Sequence, residues 1–512
     1  MFPGWRGRKT KNQRLAMLKT FSFYCTAIFF LTAYALSMAY NVLWGISIYG
    51  MIMIVYFLLQ ISFAHLNYRY YFQLSRESWI SKNSVRTFST PEGMITENPF
   101  QCVLVMVGHR ERVDYWNKAL LSITRLNPVN LVHVYLIIDG DEEEDRYMTT
   151  EARKIFLPNP EDDDATLLSP FKLEIISIKQ RGKRGAMFYG IEKVRQDYAG
   201  QENNMDVVLS DSDTELHENC ILRLQECLRS NSNNGCATGV LQIYNKVDGV
   251  LPRMIDARYS YAFLIERAST SYMGCMTCCS GPLSIYRLSV LNELVMRKFI
   301  TQSLLNVKCE PGDDRHLTNL VLAQGNYARQ TAMATAGTEA PETLRRFLLQ
   351  QLRWSRSYYR ELYWQIKAIE HQSYYLSLVT VYESLFPFFI TCWLWRILYW
   401  NNEIRYMWHG FLLSLLVLVT RTLILFLYMQ KWSVVYNLLY YPVYMFLLLP
   451  TKIFAVLTVL DNRWVTAPRG GATATAVVQK FPWHVCFLTL WNVLLTVGIV
   501  RQTMIATTGH FL

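Results

Sequence analysis

The hydrophobic and polar positions of this 512-residue chain fall into three blocks. From Thr20 to Ala64 no Asp, Glu, Lys or Arg interrupts the apolar run. That length predicts two membrane-spanning helices of ~20 residues each with a tight connection near 41–45, and it is too long for a cleaved leader. A polar middle block follows, with short apolar runs and helical patterns in alternation. After Glu370 the apolar character returns, and spans are predicted at Ser373–Trp395, Met407–Met429 and Phe481–Val500. A further apolar stretch, 432–460, is broken by Pro442, Pro450 and Lys452.

Charge sets the expected topology. Arg6, Arg8, Lys9, Lys11, Arg14 and Lys19 precede the first span, and Arg69, Arg76, Lys82 and Arg86 follow the second. The excess of cations on both flanks places them, and the middle block, in the cytosol. If 432–460 enters and returns rather than crossing, the following loop, 461–475, also faces the cytosol; its Arg463 and Arg469 and the proline breaks favour that path. The chain then crosses five times and ends outside. The expected organisation is 1–66 as a basic segment and helix pair, 67–344 as a cytosolic domain, 345–372 as interface helices and 373–512 as a transmembrane region. Glu383 and Arg421 lie inside apolar spans, where they either line a polar path or pair with each other.

Within the middle block, QCVLVMVGHRE, LVHVYLIIDGDEEED, FKLEIISIKQRGKRG and MDVVLSDSDTE each read as a buried strand running into charged residues, with helical stretches such as WNKALLSITRL and AMFYGIEKVRQDY between them. This is an α/β pattern with a mainly parallel sheet, in which ligands bind at the carboxyl ends of the strands. The acidic run 161–164 reads as a solvated loop. The net charge of +11 suits anionic lipid, the topology itself or an anionic substrate; no nucleic-acid signature accompanies it, and no obligate protein partner is indicated. The eleven cysteines are expected to be free thiols. Cys275-x-x-Cys278-Cys279 has no second pair to complete a zinc site, so these read as small packed residues.

Four strings carry candidate chemistry. Asp211-Ser-Asp213 at a strand end offers oxygen ligands to Mg²⁺ or Mn²⁺, which would hold a diphosphate. Asp139-Gly-Asp141 offers either an acceptor for a base or ribose or a capped turn. Arg181-Gly-Lys183-Arg184 suits phosphate as well as a solvated turn. Gly312-Asp313-Asp314-Arg315 is either a carboxylate pair containing a general base or a helix N-cap. Finally, LLQQLRWSRSYYRE, 348–361, puts Arg353, Arg356 and Arg360 on one helical face and Trp354, Tyr358 and Glu361 on the next. A membrane-surface helix accounts for the cations and aromatics. It leaves unexplained Gln350-x-x-Arg353-Trp354, a set that can stack a sugar ring and neutralise a leaving diphosphate.

Asp211-x-Asp213, Gly312-Asp-Asp314 and Gln350-x-x-Arg353-Trp354, in this order between spans, resemble the processive family 2 glycosyltransferases with a GT-A fold, which include cellulose, chitin and hyaluronan synthases. The strings NKVD (245–248), ERASTSY (266–272), SGPLSIYR (280–287), KCEPGDDRHLTN (308–319) and QQLRWSRSYYRE (350–361) are most similar to hyaluronan synthases, over roughly residues 100 to 470. The resemblance implies that Glu111 and Asp139 contact the uridine end and Lys183 the diphosphate. Asp213 with Asp211 would hold the metal, and Asp314, beside Asp313, would be the general base. Gln350, Arg353 and Trp354 would border acceptor and diphosphate; Ser280, Gly281, Pro282 and Leu283 would shape the acceptor pocket near Cys309. Trp464, Thr466 and Arg469 would belong to a gating loop. His109, also at the nucleotide site, stands where relatives usually carry an aromatic; Gly185 replaces a common glutamate, and WVTAPR replaces the usual WGT form.

The expectation is an α/β GT-A domain inserted between transmembrane helices, integral to the plasma membrane. It would transfer N-acetylglucosamine and glucuronic acid alternately from UDP-GlcNAc and UDP-GlcA, with Mg²⁺ or Mn²⁺, by an inverting displacement onto a growing polysaccharide. The alternatives are a chitin or chito-oligosaccharide synthase using UDP-GlcNAc only, and a channel whose domain merely senses nucleotide. A pure sensor needs no general base, which argues against the channel.

Overall fold

The computed structural model describes residues 11–39, 42–77, 86–90, 93–97, 100–157, 170–401, 403–462 and 483–508. The expected strands form at β3 (Gln101–Gly108), β4 (Leu131–Asp139), β5 (Lys172–Ile178) and β6 (Met205–Asp211), after a separate hairpin of β1 (Arg86–Thr90) and β2 (Gly93–Glu97). Further strands follow at β7 (Glu215–Leu216), β8 (Asn234–Ile243) and β9 (Ser284–Arg287). A small hairpin of β10 (Ser303–Leu304) and β11 (Val307–Lys308) precedes β12 (Tyr327–Thr338). The main sheet has eight strands in the order β5-β4-β3-β6-β9-β8-β12-β7. The first four are parallel; β9 runs antiparallel to both its neighbours, and β7 closes the edge antiparallel to β12. This is the mixed, mainly parallel GT-A sheet.

Period-two burial explains why the sheet is covered on both faces. Val103 and Val105 of β3 pack with Tyr135, Ile137, Ala186 and Ile191 on one face. Cys102, Leu104 and Met106 pack with Trp116, Leu120, Leu136 and Ile138 on the other. The predicted helices between strands form at Val113–Thr124 and Lys183–Asp197. All eleven cysteines are free. The acidic run 161–164 lies outside the described residues.

Among the described residues, six helices are long and apolar enough to cross a membrane. Five of them coincide with the expected spans. The sixth, Trp432–Leu457, is helical throughout, passing through a 3₁₀ turn and, after Pro442, a π turn rather than reversing. Both of its ends meet the α/β domain or its adjoining helix. Tyr436 accepts a hydrogen bond from Arg253 at 3.2 Å, while Asp461 pairs with Arg356 at 3.0 Å and Asn462 donates to Lys308 O. Between the ends, Tyr440, Tyr444 and Leu448 pack with Met254, Ile255 and Phe347.

The amphipathic string at 348–361 belongs to one helix, Leu344–Ile369. Its arginines are not lipid-facing, contrary to the membrane-surface explanation. Arg356 and Arg360 are buried, the first on Thr458 and Asp461, the second on Asn462. Glu361 is buried too, and accepts from Gln302, from Asn319 at 3.2 Å and from His316 at 3.1 Å. These contacts bolt the helix onto Asp313–Ala323. At the start of that helix Gly312 has φ +96°, and a Cβ there would overlap Ser357 Oγ.

Gly312→Ala is therefore expected to destabilise the chain by about 1–3 kcal/mol and to lose far more activity than stability. Thermal unfolding and polymer synthesis measured together check this, with Ser357→Ala in the same chain recovering part of the activity by relieving the overlap. Full activity in Gly312→Ala alone would mean that the close approach is not required.

Candidate active site

The sheet brings the charged strand ends together. Between β3 and the next helix, Arg110 adopts φ +45°, a strained value held by ion pairs to Glu142 at 2.5 Å, Glu144 at 2.7 Å and Asp145 at 2.9 Å. This fixed turn presents His109 and Glu111 on either side. His109 Nδ1 lies 2.5 Å from Asp139 O, and its Nε2 faces Gln180 at 3.2 Å. Asp139, buried at the end of β4, accepts the backbone N–H of Arg181 at 2.7 Å. Of its two possible roles the turn is thus filled, and the residue also lines the cavity described below. Burial raises the Asp139 carboxyl above its usual range, against the Arg181 N–H bond.

Lys183 is the centre of the charge arrangement. Its ammonium lies 2.7 Å from Asp211 Oδ1 and 3.5 Å from Asp313 Oδ2, joining the two carboxylate motifs. Burial opposes its charge, but Asp211 and Asp313 outweigh that and raise its pKa. Asp313, buried, is held below the usual carboxylate range: burial works against ionisation, and Lys183, Arg184 and Arg353 overcome it. Its Oδ2 is buried without a hydrogen bond. Asp314 accepts from the Arg315 N–H at 2.7 Å, and the Cys278 thiol lies 3.4 Å from its other oxygen.

On the far side of Asp211 negative charge is in excess. Burial and then Asp211 push the Asp213 carboxyl up to about 6. Burial and then Asp213 push Glu111 up to about 7, although Ser212 and the Arg112 N–H each donate to it at 3.2 Å. Gly281 lies against this group, since a Cβ there would stand in van der Waals contact, 3.4 Å from Asp211 and from Lys183. Crowded hard oxygen donors, raised by one another's charge and met by a single ammonium, fit a divalent cation such as Mg²⁺ or Mn²⁺.

The residues expected on the acceptor side converge as well. Ser280, Gly281, Pro282, Gln350, Arg353 and Trp354 line the same cavity as the carboxylates. Ser210 Oγ donates to Pro282 O at 3.0 Å and Thr238 Oγ1 to Leu283 O at 2.6 Å, which pins the 280–283 loop to the sheet. Trp354 is 37% exposed, its ring 6.4 Å from that of Tyr259, so a face is free for a sugar. Gln350 Oε1 is buried with no hydrogen bond. Burial lowers the Arg353 pKa, opposed by Asp313, Asp314 and Asp211.

Cys309 is not among the lining residues: it is buried with its Sγ toward Val307 O. The adjacent Glu310 lines the cavity instead. Trp464, Thr466 and Arg469 lie outside the described residues. Among the lining groups to which the sequence assigned no role are Cys278, Arg267 and Arg315. Their signals were present in the C-x-x-C, in ERASTSY and in GDDR.

The cavity measures about 1850 Å³ and continues from these carboxylates between the apolar helices, past Tyr382, Glu383, Trp393, Arg421 and Tyr440 to Ile499. Glu383 and Arg421 both line it, and no ion pair between them is found among the described residues; Arg421 stands 4.1 Å over the Tyr261 ring. The intramembrane charges therefore border the path.

Comparison with known proteins agrees with this geometry. The family model for glycosyl transferase family group 2 matches residues 207–507. Hyaluronan synthase 3 of Xenopus laevis is 32% identical over 394 residues, 72% of this chain and 68% of that one. Hyaluronan synthase 2 of Gallus gallus is 31% identical over 454 residues, 84% and 78% of the two chains. Hyaluronan synthase 2 of Xenopus laevis is 30% identical over 466 residues, with the same coverage. A solved mannosyltransferase from Pyrobaculum calidifontis, in complex with GDP-Man and Mn²⁺, aligns with 89% of this chain and 98% of its own at TM-score 0.39 and 11% identity, too loosely to bear on ligands.

The raised Glu111 carboxyl makes stability pH-dependent. A carboxyl moved from 4.5 to about 7 binds its proton more tightly in the folded protein. Its contribution is complete below about pH 4.5 and is lost as the pH rises through about 7. In metal-free buffer Glu111→Gln should match the parent's Tm near pH 4.5 and exceed it by a few degrees at pH 8, a difference of about 1–3 kcal/mol. A Tm offset that does not change with pH would contradict the charge crowding.

Proposed function

Because the chain belongs to the hyaluronan synthases of glycosyltransferase family group 2, an integral membrane hexosyltransferase family, we propose that it alternately transfers N-acetylglucosamine and glucuronic acid from UDP-GlcNAc and UDP-GlcA onto a growing hyaluronan chain and secretes the product as it grows. The observation that carries this is the single cavity running from Asp211, Asp213 and Asp314 to the space between the apolar helices.

His109, Glu111 and Asp139 border the uridine end of the donor. Asp211 and Asp213 would hold Mg²⁺ or Mn²⁺, which when bound offsets the charge of the diphosphate. Lys183 and Arg353 meet the charge that develops on the departing UDP; both already face the carboxylate motifs, so little reorganisation is needed. The acceptor sugar stacks on Trp354 beside Gln350 and the 280–283 loop. Asp314 takes the proton from the acceptor hydroxyl, whose oxygen forms a bond to the anomeric carbon as the bond to UDP breaks on the opposite face. One displacement inverts that carbon. Gating over bound nucleotide by Trp464, Thr466 and Arg469 is part of the same proposal.

The α/β domain faces the cytosol, where nucleotide sugars are made, and the membrane is the plasma membrane. Support for five crossings comes from Trp432–Leu457, whose two ends both meet the α/β domain or its adjoining helix. With both ends on that side, it leaves Trp483–Thr508 to cross last.

Purified protein in lipid with Mg²⁺ or Mn²⁺ should release UDP continuously and make long, hyaluronidase-sensitive polymer only when both donors are present. Resistant product from UDP-GlcNAc alone, unaffected by UDP-GlcA, would identify a chitin-type enzyme instead. Asp314→Asn should lower transfer by about 10²–10⁴-fold and leave UDP affinity unchanged; undiminished polymer output would remove Asp314 from the role of base.

A further inference from the structure

The proposed acceptor side of the cavity holds a guanidinium that no carboxylate among the described residues neutralises. Arg267 is the last residue of a π-helical turn, Ala262–Arg267, a form that often marks functional positions. It lines the cavity with Cys278, Ser280 and Asp314. Its Nη1 donates to Ser280 Oγ at 2.6 Å, and its Nη2 lies 4.0 Å from Cys278 Sγ, the thiol that in turn touches Asp314. The guanidinium stands 4.3 Å over the Phe263 ring. Among the described residues it forms no ion pair: the nearest acid in sequence, Glu266, is bound to Arg258 at 2.9 Å. The thiol separates it from the Asp314 carboxylate.

An unpaired guanidinium beside the reacting carboxylate has a chemical consequence. Its planar fork matches a carboxylate with two parallel hydrogen bonds, and its partly apolar surroundings strengthen such a contact. A neutral N-acetylated sugar in the same place offers it no charge. We propose that Arg267 is a specificity-determining residue that binds the carboxylate of a uronic acid at the acceptor terminus of the growing chain. This rests on the two-donor reading above. Arg267 then acts in one half of the alternating cycle, when N-acetylglucosamine is added to a glucuronate-ended chain. It has no such contact when glucuronate is added to an N-acetylglucosamine-ended chain. Ser280, already hydrogen-bonded to the guanidinium, orients it.

The test separates the two half-reactions in full-length protein in lipid nanodiscs. Nascent chains are stalled at either terminus by exhausting one donor, and the first addition is then timed with a single radiolabelled UDP-sugar. Arg267→Gln should slow addition of N-acetylglucosamine to glucuronate-ended chains by about 10- to 100-fold and slow the other addition much less. Arg267→Lys, which keeps the charge without the fork, should recover part of the rate. UDP affinity measured on each variant confirms that the nucleotide site is intact. Equal slowing of both additions would overturn the assignment, as would Ser280→Ala reproducing the full Arg267→Gln effect, since the loop contact alone would then be responsible. Repeated addition from a single donor by the parent protein would overturn the two-donor reading itself, an outcome visible before any variant is compared.

Discussion

One ammonium group holds the active site together. Asp211, Asp213, Glu111 and Asp313 converge from different parts of the fold, and their mutual repulsion would scatter them if nothing opposed it. Lys183, carried on the first turn of a helix that starts at the left-handed Gly182, reaches both Asp211 and Asp313. It thereby ties the strand that carries the first carboxylate motif to the helix that carries the second. What it leaves uncompensated, at Glu111 and Asp213, is the local demand for a further cation.

The second constraint is steric and mechanical. The helix Leu344–Ile369 approaches the Gly312 turn so closely that only glycine fits, and the buried Glu361 fixes that approach through His316, Asn319 and Gln302. Arg353 and Trp354 are thus placed by the same packing that places Asp313 and Asp314. Farther along this helix, Arg356 and Arg360 hold the end of the Trp432–Leu457 segment. One rigid element therefore touches the turn that carries Asp313 and Asp314, the proposed acceptor position and the apolar segment Trp432–Leu457. The cavity follows it from the α/β domain into the space between the apolar helices.

Much of this was legible in the residues alone, for a physical reason: strands that end in charges at a parallel sheet's carboxyl edge leave a period-two apolar run beside a polar cluster. Hence the four strands, the two carboxylate motifs and the basic turn were visible, and the described residues of the expected site, apart from Leu283 and Cys309, share one cavity. The membrane-surface explanation fails for Arg356 and Arg360 of LRWSRSYYRE, because helical spacing reports which side chains share a face and not what that face meets. Arg356 and Arg360 face protein. Cys309 was placed by its neighbourhood to GDD, but it is buried with its thiol toward the Val307 carbonyl and not the cavity. Arg267 went unassigned since nothing local marks a π turn, and an unpaired cation is recognisable only when the residues around it are known. The path of 432–460 was read from its prolines; Pro442 sits within the α-helical stretch Asn437–Val443, and the π turn Tyr444–Leu448 follows it.

The central claim is that synthesis and export share one continuous path. It is tested most directly in sealed proteoliposomes whose catalytic domains face the outer solution. Both UDP-sugars are supplied outside, and the polymer is challenged with hyaluronidase before and after the membrane is opened with detergent. The shared path predicts polymer that accumulates in the lumen and becomes digestible only after detergent. Polymer that is digested completely in intact vesicles would contradict it, and would reduce the cavity between the apolar helices to a feature of packing.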